Sequence, residues 1–314
     1  MAIRLASFKH MLPNAFITGG SGLLGLNILL HNPQLFKFHA LGNKRQINLP
    51  DVQVTGINLA NIRAIESCLK TSNAKLVIHS AGMTSVDDCN ADPSNANFIN
   101  GTLPENLAKV CYELGIKFVQ ISTDHLFDGT ESFVSENVDP KPLNAYGYSK
   151  ALGEEGVLKN NQDALIVRTN FFAWGPSYRM SFSDFIHSNL VNREVISLAE
   201  DVFYTPVLAQ NLIDSIFQLV IKGASGIYNV VGSERLSKYE FGIKMADIFL
   251  LDTNLINKVP WTSLGQKAQR PADMSLSDVK LRQFLGYDQG GSQENILTLK
   301  ALMATNLYHK VKSL

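Results

Sequence analysis

Three cysteines in 314 residues, Cys68, Cys89 and Cys111, are few and far apart, and no CxxC pair occurs. That excludes a disulfide framework and a cysteine-rich zinc site, and leaves the thiols as small buried hydrophobes. Excess charge of either sign is also lacking. Lys plus Arg number 28 and Asp plus Glu 28, so the surface as a whole is no electrostatic footprint for nucleic acid, and an anionic partner must be held locally. No apolar run approaches a membrane span, and the start, MAIRLASFKHMLPNAFITGG, has none long enough for a signal core. A GxxxxGK[ST] phosphate loop is missing too, which removes support for P-loop ATP hydrolysis. What is present is a 45% hydrophobic content, enough to bury the core of one large domain or two unequal ones. The expectation is a soluble, reduced, cytoplasmic protein with no nucleic-acid or membrane partner.

Short apolar runs alternate with helical patterns, which predicts a parallel sheet between helix layers. Strands are expected at Ala15–Thr18, Phe36–Leu41, Val52–Ile57, Lys75–His79, Lys117–Ile121, Ala164–Val167 and Gly226–Val231. Helices are expected at Leu23–Leu30, Ile62–Lys70, Ser94–Leu114, Ala145–Leu158 and Pro206–Lys222. Thr205-Pro206 reads as an N-cap with proline at the first helical position, and Ser237-Lys-Tyr-Glu240 as a capping box. The alternation is regular to about Thr169 and then breaks up. The predicted fold is therefore α/β: a Rossmann-like doubly wound parallel sheet over residues 14–175, to which 206–232 returns, and a smaller C-terminal α/β substrate lobe from 176–205 and 233–314.

Phe16-Ile-Thr-Gly-Gly-Ser-Gly-Leu-Leu-Gly25 runs from a strand through glycines 19, 22 and 25 into an apolar helix. A tight turn tolerant of positive φ, close approach to a pyrophosphate and close helix–strand packing each call for glycine, and the helix N-terminus offers free N–H groups to the phosphate. The spacing is GxxGxxG, one residue longer than the GxGxxG of many dehydrogenases. After the second strand, Leu41-Gly-Asn-Lys-Arg45 carries no carboxylate to take the adenosine ribose hydroxyls of NAD. Lys44 and Arg45 can meet a 2′-phosphate, so NADP is the expected cofactor, with NAD as the alternative; the bland reading of the pair is two solvated loop cations.

Tyr146 and Lys150 stand four residues apart, on one face of the predicted helix. A neighbouring ammonium stabilises a phenolate, and the resulting fall in pKa would make the phenol a usable general acid for a carbonyl that receives hydride. Alone, a Tyr/Lys pair at this spacing is usually a surface stack. Phe118-Val-Gln-Ile-Ser-Thr-Asp-His125 adds hydroxyls at the end of an apolar strand, where open α/β sheets bind ligands, and Thr123 can hold a carbonyl against Tyr146. For Ser122 and Thr123 the bland reading is a turn cap. Val77-Ile-His-Ser-Ala-Gly82 also ends a strand in small residues, with His79 expected inside that strand.

TGGSGLLG, IHSAG, ISTDHLFDG, YGYSK and IVRTNFFAWG, in that order, resemble the extended short-chain dehydrogenase/reductase superfamily. With Thr84-Ser-Val-Asp87, Gly226-Ile-Tyr-Asn-Val-Val-Gly232 and Arg270-Pro-Ala-Asp-Met-Ser-Leu276, the chain is most similar to the dTDP-4-dehydrorhamnose reductase group. The resemblance implies that Thr123, Tyr146 and Lys150 are the catalytic hydroxyl, the proton donor and its lysine. It places Gly19, Gly22 and Gly25 on the pyrophosphate, Ser21, Leu23, Leu24, Asn58 and Leu59 elsewhere along the cofactor, and Ala81 and Gly82 beside it, with Tyr146 and Lys150 also at its border. Asn58 replaces the acidic residue that often follows the third strand, which implies a looser adenine contact. Thr84, Val86, Thr123, Asn170 and Arg270 are implied on the substrate side, and Asn100 matches a helix asparagine that orders the active site.

The departures narrow the class. Dehydratases of the superfamily carry Thr-Asp-Glu where this chain has His125, which disfavours dehydration, and the cysteine of fucose-synthase-type enzymes is missing. His125 also replaces the tyrosine usual in the reductase motif. Some rhamnose-pathway reductases bridge a dimer through magnesium with a glutamate where this chain has Asn27, so no metal is expected; a homodimer remains compatible. The leading expectation is an NADP-dependent reductase of a 4-keto sugar nucleotide. The alternatives are a sugar-nucleotide 4-epimerase and a non-catalytic NADP-binding regulatory subunit, like that of methionine adenosyltransferase. Trp174, Tyr178, Arg179 and Trp261 are either contacts for the nucleotide or core of the smaller lobe.

Overall fold

Seven short runs, rich in branched and aromatic side chains, pair in register as one all-parallel sheet in a computed structural model that describes residues 12–31, 35–42, 47–49, 52–265 and 267–314. The strands are β1 (Asn14–Thr18), β2 (Lys37–Gly42), β3 (Gln53–Gly56), β4 (Ala74–His79), β5 (Lys117–Ile121), β6 (Leu165–Arg168) and an edge strand, Gly226–Asn229. The order across the sheet is edge strand, β6, β5, β4, β1, β2, β3. β1 thus lies between β2 and β4, the point where the winding reverses and where a crevice opens beyond the strands' C-terminal ends. β6 is buried along its whole length, as a strand between two helix layers must be.

Alternate side chains feed two cores. Phe16, Val77, Phe118 and Ile166 face one layer with Leu69 and Leu107. Ala15, Ile17, Ile78, Val119 and Val167 face the other, which continues without a break into Phe217, Phe241, Ile296 and Leu299 of the later chain. Trp174 lies in this second core, 2% exposed, with its indole N–H donating to the Leu299 carbonyl, so it is core and not a nucleobase contact. Cys89 and Cys111 are buried and free, as expected of small hydrophobes, whereas Cys68 is free but only partly buried.

The helices that bear on the crevice are α1 (Leu23–His31), α2 (Ile62–Thr71), α3 (Val86–Ala91), α4 (Pro93–Asn97), α5 (Leu103–Glu113) and α6 (Ala145–Asn160). They are followed by α7 (Phe182–Val191), α8 (Ala209–Ile221) and α9 (Lys238–Phe249). The single helix expected at Ser94–Leu114 is instead α4 and α5 joined by a π turn, Phe98–Thr102. Pro104 explains it: without an N–H it cannot bond the Asn100 carbonyl one turn back, and the Leu103 N–H bonds Phe98 O instead. The freed Asn100 carbonyl packs against α6 at Gly153, where a Cβ would come within 2.2 Å of it.

Thr205-Pro206 does not cap a helix. Val207–Leu208 pairs with Phe171–Phe172 as a two-residue ladder, α8 begins only at Ala209, and the Thr205 hydroxyl accepts from the Leu276 N–H. Pro206 therefore sits in extended chain, which its fixed φ also suits. The capping box at Ser237 forms as expected: its hydroxyl accepts from the Glu240 N–H, and the Glu240 carboxylate accepts from the Ser237 N–H. No helix among the described residues is long and apolar enough to cross a membrane.

Candidate active site

A cleft of about 670 Å³ opens at the C-terminal ends of β1, β4, β5 and β6. Its first wall is backbone. Gly19 turns the chain at φ +71°, and an added Cβ would lie 2.7 Å from the Ala81 nitrogen. At Gly25 a Cβ would lie 2.3 Å from the Gly19 carbonyl, so α1 packs on the turn only because that residue is glycine. Among the described residues the one atom near a Cβ at Gly22 is the Gly19 oxygen, so the turn is open toward the cleft. Gly19, Ser21, Gly22, Leu23, Leu24 and Gly25 all line it, with Leu59, Ala81 and Gly82 beyond. The residues fit a dinucleotide: a glycine-rich turn, N–H groups at the start of α1 that no helical carbonyl precedes, and room for a pyrophosphate.

Asn58 does not line the cleft; its side chain accepts from the Ala60 N–H in a local turn ahead of α2. Lys44 and Arg45 lie outside the described residues. His79 is inside β4, 1% exposed, bonded through Nδ1 to the Thr18 hydroxyl, and burial draws its pKa down to about 3, so it stays neutral.

The second wall is side chains. Ser122, Thr123, Asp124 and His125 at the end of β5 meet Tyr146 and Lys150 of α6 and Asn170 after β6. α6 starts where Asn144 caps it, accepting from the Gly147 N–H at 2.9 Å. It is pinned to β6 by a buried ion pair: Arg168 Nε donates to both Glu154 oxygens at 3.1 Å, and Nη2 donates to Oε2 at 2.7 Å. On its other side, the Asn100 side chain donates to Met83 O and Ser149 Oγ and accepts from the Met83 N–H, a geometry set up by the π turn. Lys150 Nζ donates to the Ile121 carbonyl at 2.6 Å, which fixes it at the cleft floor.

The electrostatics correct one expectation. Burial pushes the Tyr146 phenol above its ordinary pKa, the Thr123 hydroxyl opposes this, and Asp124 and Cys89 reinforce it. Desolvation outweighs the expected ammonium effect because the ring is only 9% exposed. The phenol therefore keeps its proton at neutral pH. Lys150 is itself drawn down to about 8 by burial, against the attraction of Glu154.

Thr123 serves two ends: its hydroxyl donates to Asp124 at 3.2 Å and accepts from the His125 N–H at 3.3 Å, so the turn-cap reading of this residue is also real. Asp124, 2% exposed, accepts further from the Asn170 amide. Thr84 and Val86 line the cleft, and Arg179 Nη2 donates to the Thr84 hydroxyl across it. The Tyr178 hydroxyl donates to the Ser21 carbonyl, tying the chain after β6 to the glycine turn. Arg270 does not line the cleft: its guanidinium lies over Trp261, 3.5 Å from the Asp87 carboxylate. Sequence reasoning passed over Met180, Ser181 and Phe182, which close the cleft from the later chain; only the Ser181 capping box at the start of α7 hints at them.

Residues 14–299 match the RmlD substrate binding domain family. Among curated proteins the chain is 31% identical to the probable low-salt glycan biosynthesis reductase of Haloferax volcanii, over 91% of this chain and 97% of that one. It is 29% identical to methionine adenosyltransferase 2 subunit beta of Xenopus laevis, over 85% and 81%. Among solved structures, the dTDP-4-dehydrorhamnose reductase of Bacillus anthracis, crystallised with NADP, superposes with a TM-score of 0.82 at 25% identity, covering 93% of this chain and 99% of that one.

Proposed function

The chain belongs to the RmlD substrate binding domain family, and from that premise we propose that it reduces the keto group of a 4-keto sugar nucleotide, with NADPH as hydride donor and Tyr146 as proton donor. One observation carries this reading: the glycine turn and the Thr123, Tyr146 and Lys150 set face each other across a single cleft. When bound, the nicotinamide cofactor supplies hydride to the keto carbon. Every other task falls to the chain. Gly19, Gly22 and Gly25 keep side chains away from the pyrophosphate, and the start of α1 offers it N–H groups. Thr123 turns its hydroxyl proton from Asp124 to the substrate carbonyl and holds it at the phenol. Tyr146, kept protonated by burial, gives its proton to the oxygen as negative charge develops there, and Lys150 stabilises the phenolate that remains. The product is the secondary alcohol: one hydride has been added to carbon and one proton to oxygen, two electrons and two protons in all.

The absence of a carboxylate in Leu41–Arg45 supports NADP over NAD. Ser122, Asp124, Asn170 and Arg179, with Thr84 and Val86, are the proposed substrate side, and residues 176–205 and 233–314 the proposed substrate lobe. The likeness to methionine adenosyltransferase 2 subunit beta supports a second reading, a cofactor-binding protein without turnover. The deciding experiment follows absorbance at 340 nm with dTDP-, UDP-, GDP- and CDP-linked 4-keto sugars. Stoichiometric loss of NADPH is the expected result. Interconversion of 4-epimers on tightly held cofactor, without net loss, assigns a 4-epimerase instead. Cofactor binding with no turnover of any compound assigns the binding protein.

A further inference from the structure

The titratable side chains that line the cleft are almost all engaged within the protein. Asp124 is bonded to Asn170 and Thr123, Lys150 to Ile121 O, Arg179 to Thr84, and Tyr146 interacts with the Thr123 hydroxyl. His125 is different. Among the described residues neither of its ring nitrogens has a hydrogen-bond partner, and Nδ1 is fully buried. Its backbone is nevertheless held on both sides: Thr123 Oγ1 accepts from its N–H at 3.3 Å, and its carbonyl lies where a Cβ on Gly147 would come within 2.3 Å. The ring stands edge-on to Tyr146 with centroids 5.4 Å apart. A buried nitrogen without a partner, on a fixed backbone in the wall of a cleft, is costly unless a ligand supplies the bond.

We propose that His125 is a specificity residue that hydrogen-bonds the ring hydroxyl next to the keto carbon of the sugar. The proposal rests on the reading of the cleft as a keto-sugar reductase site. If the keto oxygen lies at the Tyr146 phenol, a group beside that ring faces the substituent on an adjacent ring carbon. The hydroxyl at carbon 3 can either donate or accept, so it can bond a ring nitrogen of a neutral imidazole whichever tautomer the ring adopts. The imidazole is held neutral: burial lowers its basicity, Lys238 and Arg270 act in the same direction, and Asp124 opposes them.

The test uses a 4-keto sugar nucleotide that the wild-type protein reduces, and its 3-deoxy analogue, at saturating NADPH. His125→Phe is expected to raise KM about tenfold or more with kcat nearly unchanged and NADPH affinity intact, and His125→Asn, which keeps an amide in place, to recover most of the loss. Wild type is expected to lose a similar factor on the 3-deoxy analogue, whereas His125→Phe treats the two substrates alike. Where His125→Phe fails to fold, wild type and His125→Asn on the two substrates decide the matter. Turnover by wild type with no discrimination between the substrates, or full discrimination retained by His125→Phe, overturns this inference alone. Wild-type protein that reduces no 4-keto sugar nucleotide overturns the reductase reading and the inference with it.

Discussion

The two walls of the cleft are made differently. The nucleotide wall is main chain: a turn with φ +71° at Gly19, contacts that allow no Cβ at Gly19 and Gly25, and the bare start of α1. The facing wall is side chains contributed by β5, α6 and the segment after β6, held by an ion pair, a capped helix and a π turn. A wall of main chain tolerates few sequences and recognises what all dinucleotides share. A wall of side chains can change one residue at a time, so under the proposed function specificity is expected there.

If that division is right, damage to each wall has its own signature. Tyr146→Phe is expected to remove turnover, by about 10⁴-fold or to below detection, while NADPH affinity measured by fluorescence titration stays within a few-fold. Equal loss of both would break the division. Glu154→Gln leaves the Arg168 guanidinium buried without its partner carboxylate and should cost about 3 kcal/mol in urea unfolding. Because it unpins α6, the surviving folded protein should show lowered kcat with cofactor affinity kept. Gly25→Ala forces a Cβ to within 2.3 Å of the Gly19 carbonyl and is expected to weaken NADPH binding about 100-fold by calorimetry, the mirror image of Tyr146→Phe.

A smaller effect separates activity from stability with pH. The folded-state pKa of Lys150, about 8, lies below its ordinary value of 10.5, so between the two the unfolded chain binds more protons. The contribution of this group to stability therefore rises with pH across that window. Activity should go the other way, with kcat/KM falling as pH passes about 8 because the ammonium beside the phenol is lost. A pH–rate profile flat to pH 9.5 would remove Lys150 from the mechanism. Smallest is the cofactor preference: NADPH should have a KM about tenfold below that of NADH, and a lower KM for NADH would sink the NADP reading.

The same division explains what could be read in advance. The sheet strands and the glycine turn were legible because a parallel strand and a phosphate turn each demand a local residue pattern, as did Tyr146 and Lys150 at helical spacing. The π turn was not, because Pro104 sits within an apolar period that looks continuous. Nor were the Arg168–Glu154 pair and the bond between Asn170 and Asp124, which join residues 14 and 46 positions apart on separate elements. Arg270 was assigned to substrate from its motif, yet folding turned it toward Trp261 and Asp87. Cation and carboxylate positions on the C-terminal chain depend on how that chain drapes over the sheet, and no local period records this.

The π turn at Phe98–Thr102 also sets a rotational phase. One extra residue in the turn swings everything after it by about a quarter of a revolution relative to an unbroken helix. Before the turn, Ala96 faces Tyr146 and Cys89; after it, Leu103 and Leu107 face the sheet. A single rod thus serves as wall of the reaction chamber at one end and as roof of the sheet at the other. Removing one residue there would leave every side chain chemically intact and aim half of them at the wrong core.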